Sequence, residues 1–313
     1  MKGLELSQKF YEEYGKPMLQ EQFPEIEHLI AVGLVGSGSD CYGYDDDISH
    51  DHDFEPGFCL FLPDETTIDE KTFFNLERAY SKLPKEFLGY KRSLVKPVGG
   101  SRNGVFRTSD FYNKKIGSPN GKLTIEQWFS LPDYAFAEAT NGEIFKDELG
   151  EFTEIRNRLL NMPDDICLKK LAGNLLIMAQ SGQYNYPRII SRGETASAQL
   201  ALFEFSNAAM KVYFLLNGKF MPYYKWQFRA LRDLPNGDFF ADSLEFLIST
   251  DNSIDNANIK NEIINSVAEE IISILKQKGI TKATCNDLEK HAYSVNDFIK
   301  DGALRNTHIL SGI

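Results

Sequence analysis

Apolar and polar positions follow two different rhythms along this chain, and the change falls near residue 150. Before it, short apolar runs alternate with helical periodicity. Leu4, Phe10 and Tyr14 share one face of an opening helix, and residues 28–35 (HLIAVGLV) form a run that predicts a buried strand. A glycine-rich turn comes next. Residues 54–62 (FEPGFCLFL) predict a second strand, with Pro56 near its start or edge, where a missing N–H is tolerated. Residues 69–83 predict a helix. After a loop with Pro97, Gly99 and Gly100, residues 104–108 predict a third strand and 124–140 a helix.

From about 151 onward only helical periodicity remains. Leu171, Leu175, Met178 and Ala179 fall on one face. Leu200, Phe203, Phe205, Ala209, Val212 and Leu216 make a helix apolar over much of its surface, hence central, with Gly218 as its C-cap. Residues 259–275 (IKNEIINSVAEEIISIL) form an amphipathic helix ending near Gly279. The expected fold class is α+β: a mixed sheet with flanking helices over residues 1–150, then an all-α bundle over 151–313.

Composition narrows the functions available. The 313 residues include 23 Phe and 14 Tyr, enough for large cores, and no low-complexity tract argues for disorder. The first residues mix charge with apolar side chains, as neither a signal peptide nor a membrane span does, so a cytoplasmic protein is expected. Cys41, Cys59, Cys167 and Cys285 are scattered without a close pair, which predicts reduced thiols rather than a zinc knuckle. The net charge of −11 disfavours long nucleic acid as a partner, because backbone phosphates demand surplus Lys and Arg. No pattern bears on oligomeric state.

The chemistry concentrates in residues 35–62. A strand running into Gly36, Ser37, Gly38 and Ser39 puts small residues where the backbone must turn sharply, and the amides released there suit phosphate. A tight turn alone would also explain those residues. The acids beyond the turn add weight to the ligand reading. Asp45, Asp46 and Asp47 suit a solvated loop, whereas Asp51 and Asp53 abut the apolar run, and their mutual repulsion asks for a cation. Two apart in an extended chain, both side chains face the same way and could ligate one Mg2+ bridged to nucleotide phosphates. A transition-metal cluster of His50, Asp51, His52 and Asp53 is the weaker reading, since His28, His291 and His308 offer no partnered spacing.

With Val35-Gly36-Ser37, a spacer, and Asp51-His52-Asp53-Phe54, the segment resembles the DNA-polymerase-beta-like nucleotidyltransferase superfamily. His52 departs from the apolar residue usual there. The whole chain is also similar to an uncharacterised bacterial family of nucleotidyltransferase-like proteins, through residues 35–62, 178–188 (MAQSGQYNYPR) and 221–235 (MPYYKWQFRALRDLP). The resemblance implies a nucleotidyltransferase-type fold followed by a helical domain similar to that of aminoglycoside nucleotidyltransferases. It also implies a magnesium-dependent transfer of a nucleoside monophosphate from a nucleoside triphosphate, most simply ATP, to a small-molecule or protein acceptor. A non-catalytic nucleotide-binding or regulatory protein on the same scaffold is the alternative.

On that reading Gly36, Ser37, Gly38 and Ser39 hold phosphates, and Asp51 and Asp53 hold the metal. The superfamily adds a third carboxylate, for which Asp110 is the nearest candidate and Glu138 the next. Lys225 and Arg229, four apart on one helix face, are expected to meet phosphates, although a solvated basic face explains them equally well. Tyr184 and Tyr186, where a helix is expected to break before Pro187, and Tyr224 are candidates for acceptor binding; a plain helix-helix turn is the simpler account of the first two.

Overall fold

The computed structural model describes residues 1–50, 54–92 and 102–313. Its class is α+β, and among the described residues six short strands are confined to the first half. The strands are β1 (Ala31–Leu34), β2 (Cys59–Leu62), β3 (Glu86–Phe87), β4 (Tyr90–Lys91), β5 (Gly104–Arg107) and β6 (Glu143–Lys146). Helices α1 (Gly3–Phe10), α2 (Lys16–Gln22), α3 (Glu70–Ser81), α4 (Thr108–Ile116), α5 (Ile125–Ser130), α6 (Asp133–Thr140) and α7 (Glu151–Leu160) occupy the same half. Beyond them come α8 (Asp164–Met178), α9 (Tyr186–Ile190), α10 (Thr195–Leu216), α11 (Gln227–Arg232), α12 (Gly237–Ser249), α13 (Ile254–Gln277), α14 (Leu288–Asn296) and α15 (Gly302–Asn306). Among the described residues no helix is long and apolar enough to cross a membrane.

The chain forms two compact units, and neither is a continuous segment. Residues 1–123 and 135–161 make the first; residues 124–134 and 162–313 make the second. The helix beginning at Glu151 thus belongs with the sheet, and α5 with the helical unit.

In the first unit a four-stranded mixed sheet runs in the order β5-β2-β1-β6, with β2 and β5 parallel and β1 antiparallel to both of its neighbours. Strands β1 and β2 are buried at every position, because both faces of the sheet are covered. On one face Val32, Leu60 and Leu62 meet Leu6, Phe10, Leu19, Leu76 and Tyr80. On the other Phe61 packs against Phe111 at 5.1 Å and Phe152 at 4.4 Å between ring centres. Each large side chain so buried contributes about 1.5–3 kcal/mol. Gly33 is needed where β6 crosses β1, since a Cβ there would strike the Glu143 carbonyl.

The second unit is wholly helical among the described residues, with α8 and α10 at its centre. Two lysines lie fully inside it. Lys169 Nζ donates to Asn296 Oδ1 at 3.0 Å and to the Thr307 carbonyl at 2.9 Å; Lys260 Nζ donates to the Thr250 carbonyl at 2.8 Å and Asn252 Oδ1 at 3.1 Å. Burial lowers the pKa of both.

Three local expectations change. Residues 124–140 form two helices, because Pro132 interrupts them, and α5 starts on a Thr124–Gln127 capping box. The break expected before Pro187 is a π-helical turn, Ala179–Asn185, through which α8 runs on into α9. Between the helix expected to end at Leu83 and the loop of Pro97, Gly99 and Gly100, a stretch with no expected element, the β3–β4 hairpin forms, closed by Leu88 (φ 51°) and Gly89 (φ 86°).

Candidate functional site

The glycine turn leaves the end of β1 with a geometry that only glycine accepts readily. Gly36 has φ +110° and Gly38 has φ +135°. Asn141, just after α6, clamps Gly36: its Oδ1 accepts from the Gly36 N–H at 2.8 Å, and its Nδ2 donates to the Gly36 carbonyl at 2.8 Å. The Gly36 amide is therefore spent within the protein, which corrects its place among the phosphate donors. No acceptor among the described residues takes the N–H groups of Ser37, Gly38 and Ser39. The chain then enters a single 3-10 turn, Asp40–Tyr42, so the dipole of a full helix does not follow the glycine turn.

Two cations border this turn. Arg102 Nε donates to the Ser37 carbonyl at 2.7 Å, and its guanidinium pairs with Asp40, a carboxylate buried to 8% exposure. Lys115, from α4, donates to Ser37 Oγ at 2.6 Å and to Glu138 Oε2 at 2.5 Å, and Ser37 Oγ donates to the same Glu138 oxygen at 2.7 Å. Burial raises the nearby thiols of Cys41 and Cys59, the latter to about 12, so neither is a nucleophile at neutral pH. All four cysteines are free.

The acids separate into three cases. Asp51 and Asp53 lie outside the described residues. Asp110 is exposed in the first turn of α4, on a different face of the helix from Phe111 and Lys115, which border Gly36. Glu138, the second choice from sequence, is the carboxylate that reaches the turn. Among the described residues no group of three or more His, Cys, Asp or Glu side chains could hold a metal ion. Lys115, Arg102 and Asn141 escaped sequence reasoning because each reaches the turn from a distant segment, with no spacing to signal it.

The remaining candidates belong to the second unit. Tyr186 is fully buried, its hydroxyl donating to Asn252 Oδ1 at 3.1 Å, so it packs the interior instead of meeting a ligand. Tyr184 is exposed under the Arg188 guanidinium, 4.3 Å from the ring centre, and borders a cleft of about 810 Å³ with Gln180, Asn265 and Asn286. Lys225 and Arg229 are exposed and flank the Trp226 ring at 4.9 and 5.5 Å. Tyr224 borders another cleft, of about 530 Å³.

Residues 128–227 match a family described as a domain of unknown function, DUF4037. No curated protein matches the chain.

Proposed function

We propose that the protein transfers a nucleoside monophosphate from a magnesium-bound nucleoside triphosphate, ATP in the first instance, to a hydroxyl or similar group on a small molecule or protein, using a nucleotidyltransferase-type site in its first unit. The turn at residues 36–39 carries the reading. Beside its two positive-φ glycines, three amides have no acceptor among the described residues and lie next to the cations Arg102 and Lys115, an arrangement suited to the oxygens of a polyphosphate. The chemistry would join the acceptor oxygen to the α-phosphorus, break the bond to pyrophosphate, and pass the acceptor proton to a carboxylate or to water.

In this reading Asp51 and Asp53 would hold Mg2+, which would supply positive charge to offset that of the phosphates. In the same reading Glu138 would accept the acceptor proton, or would complete the ligand set once Lys115 turned to a phosphate. A second reading, nucleotide binding without transfer, is favoured by one observation: Glu138 is already engaged by Lys115 and Ser37.

Calorimetry with ATP and MgCl2, followed by a pyrophosphate assay over a panel of acceptors, tests both. ATP binding that weakens at least about 10-fold in Asp51→Ala and in Asp53→Ala, roughly 1.4 kcal/mol or more, is the expected result. Equal binding by wild type and both variants would overturn the assignment. Binding without pyrophosphate release supports the second reading.

A further inference from the structure

The 530 Å³ cleft of the second unit is unlike the glycine turn in every respect. It has the size of pockets that take small molecules, about 300–1,000 Å³. One wall is aromatic: Tyr134 meets Tyr223 edge-on at 5.7 Å, and Tyr223 leans on Tyr224 at 4.2 Å. All three rings are more than 40% exposed, so their faces are open to a ligand. Leu215 and Met221 continue the apolar lining.

The polar lining is equally specific. Lys170 Nζ lies 3.1 Å from Asp133 Oδ1, with both side chains nearly buried, so these two charges largely cancel. Lys211, on α10, also borders the cleft, and no carboxylate among the described residues pairs with it. Lys211, half-buried and opening onto an aromatic wall, is placed to pair with an anion. Asn174, whose Nδ2 is tied to the Lys170 carbonyl at 2.8 Å, leaves its amide oxygen to read a donor.

We propose that this cleft binds a small planar aromatic molecule bearing a carboxylate or phosphate, the ring lying against Tyr134, Tyr223 and Tyr224 and the anion on Lys211. Aromatic stacking selects the flat ring, and the Lys211 ammonium selects the charge. The residues matched by the DUF4037 family, 128–227, span the tyrosines, Lys170, Asn174 and Lys211 alike. The proposal does not depend on nucleotide chemistry.

Tryptophan fluorescence and calorimetry on the full chain, without nucleotide or magnesium, provide the test. The probes are 4-hydroxybenzoate, phenyl phosphate, benzyl alcohol and acetate. At least one aromatic anion is expected to bind about 10-fold or more tightly than benzyl alcohol or acetate, and the better of the two identifies the anion. Lys211→Met is expected to abolish that preference and Tyr224→Ala to weaken binding, while Lys290→Met, at an exposed position outside the cleft, leaves it unchanged; circular dichroism verifies that each variant is folded. Unchanged binding in folded Lys211→Met, or no binding of either aromatic anion by wild type, overturns the proposal. Both outcomes leave the ATP assay of the first unit unaffected.

Discussion

Glu138 and Asp110 differ in what they touch, and that difference decides which should matter. Glu138 shares one oxygen between Ser37 and Lys115, whereas Asp110 faces solvent on α4. If Glu138 only parks Lys115, then Glu138→Gln removes a negative charge and tightens ATP. If it completes a metal site, the same change raises the magnesium needed for half-maximal ATP binding. The second outcome is expected, with a shift of about 10-fold, against less than about twofold for Asp110→Asn, in calorimetric titrations at fixed ATP. Gly36, Ser37, Gly38 and Ser39 stood out in the sequence because small residues after an apolar strand have few other uses. Glu138 could be read only as a fallback, since 101 residues separate it from the serine it contacts. Tyr186 misled for a related reason: polar neighbours suggested exposure, but the π-helical turn points its ring inward.

Elements with an unbroken apolar signal were the legible ones. The strands β1, β2 and β5 lie within residues 28–35, 54–62 and 104–108, and α10 lies where the all-round apolar pattern placed a central helix. Strand β6 was missed because Glu143-Ile144-Phe145-Lys146 is an edge strand with charged ends, too short to show alternation. The π-helical segment was missed because its extra residue per turn breaks the very periodicity by which helices are recognised. That segment crosses α10 closely at Gly182, where an added Cβ would collide with the buried Phe205 ring. Gly182→Ala is therefore expected to cost about 1–3 kcal/mol in urea unfolding, as overpacking does in a filled core. A cost below about 0.5 kcal/mol would mean that the two helices separate easily.

Across the whole molecule, buried phenols set the response to alkali. Burial pushes Tyr11 and Tyr186 up to about 12 from the ordinary 10.0, and Glu27 and Glu148 add to the shift at Tyr11. Burial likewise raises Tyr80 and Tyr112. Between pH 10 and about 12 the unfolded chain has released these protons and the folded chain has not, so their stabilising contribution is complete below pH 10 and is lost as the pH climbs through that window. Urea midpoints should fall from pH 9.5 to 11.5, by a smaller margin in Tyr11→Phe than in wild type. An equal fall in both would show that Tyr11 takes no part.

The interleaving of the two units also governs the order in which the molecule can be made. Residues 124–134 leave the ribosome before Glu138, Asn141 and β6, although they belong to the unit whose remainder begins at 162. A nascent chain stalled at 123 carries a sheet open along β1 and a glycine turn with neither Asn141 nor Glu138 to fix it. The glycine turn is thus finished only when the two pieces of the first unit meet around an excursion into the second, and a gene split at residue 123 separates the turn from its own supports.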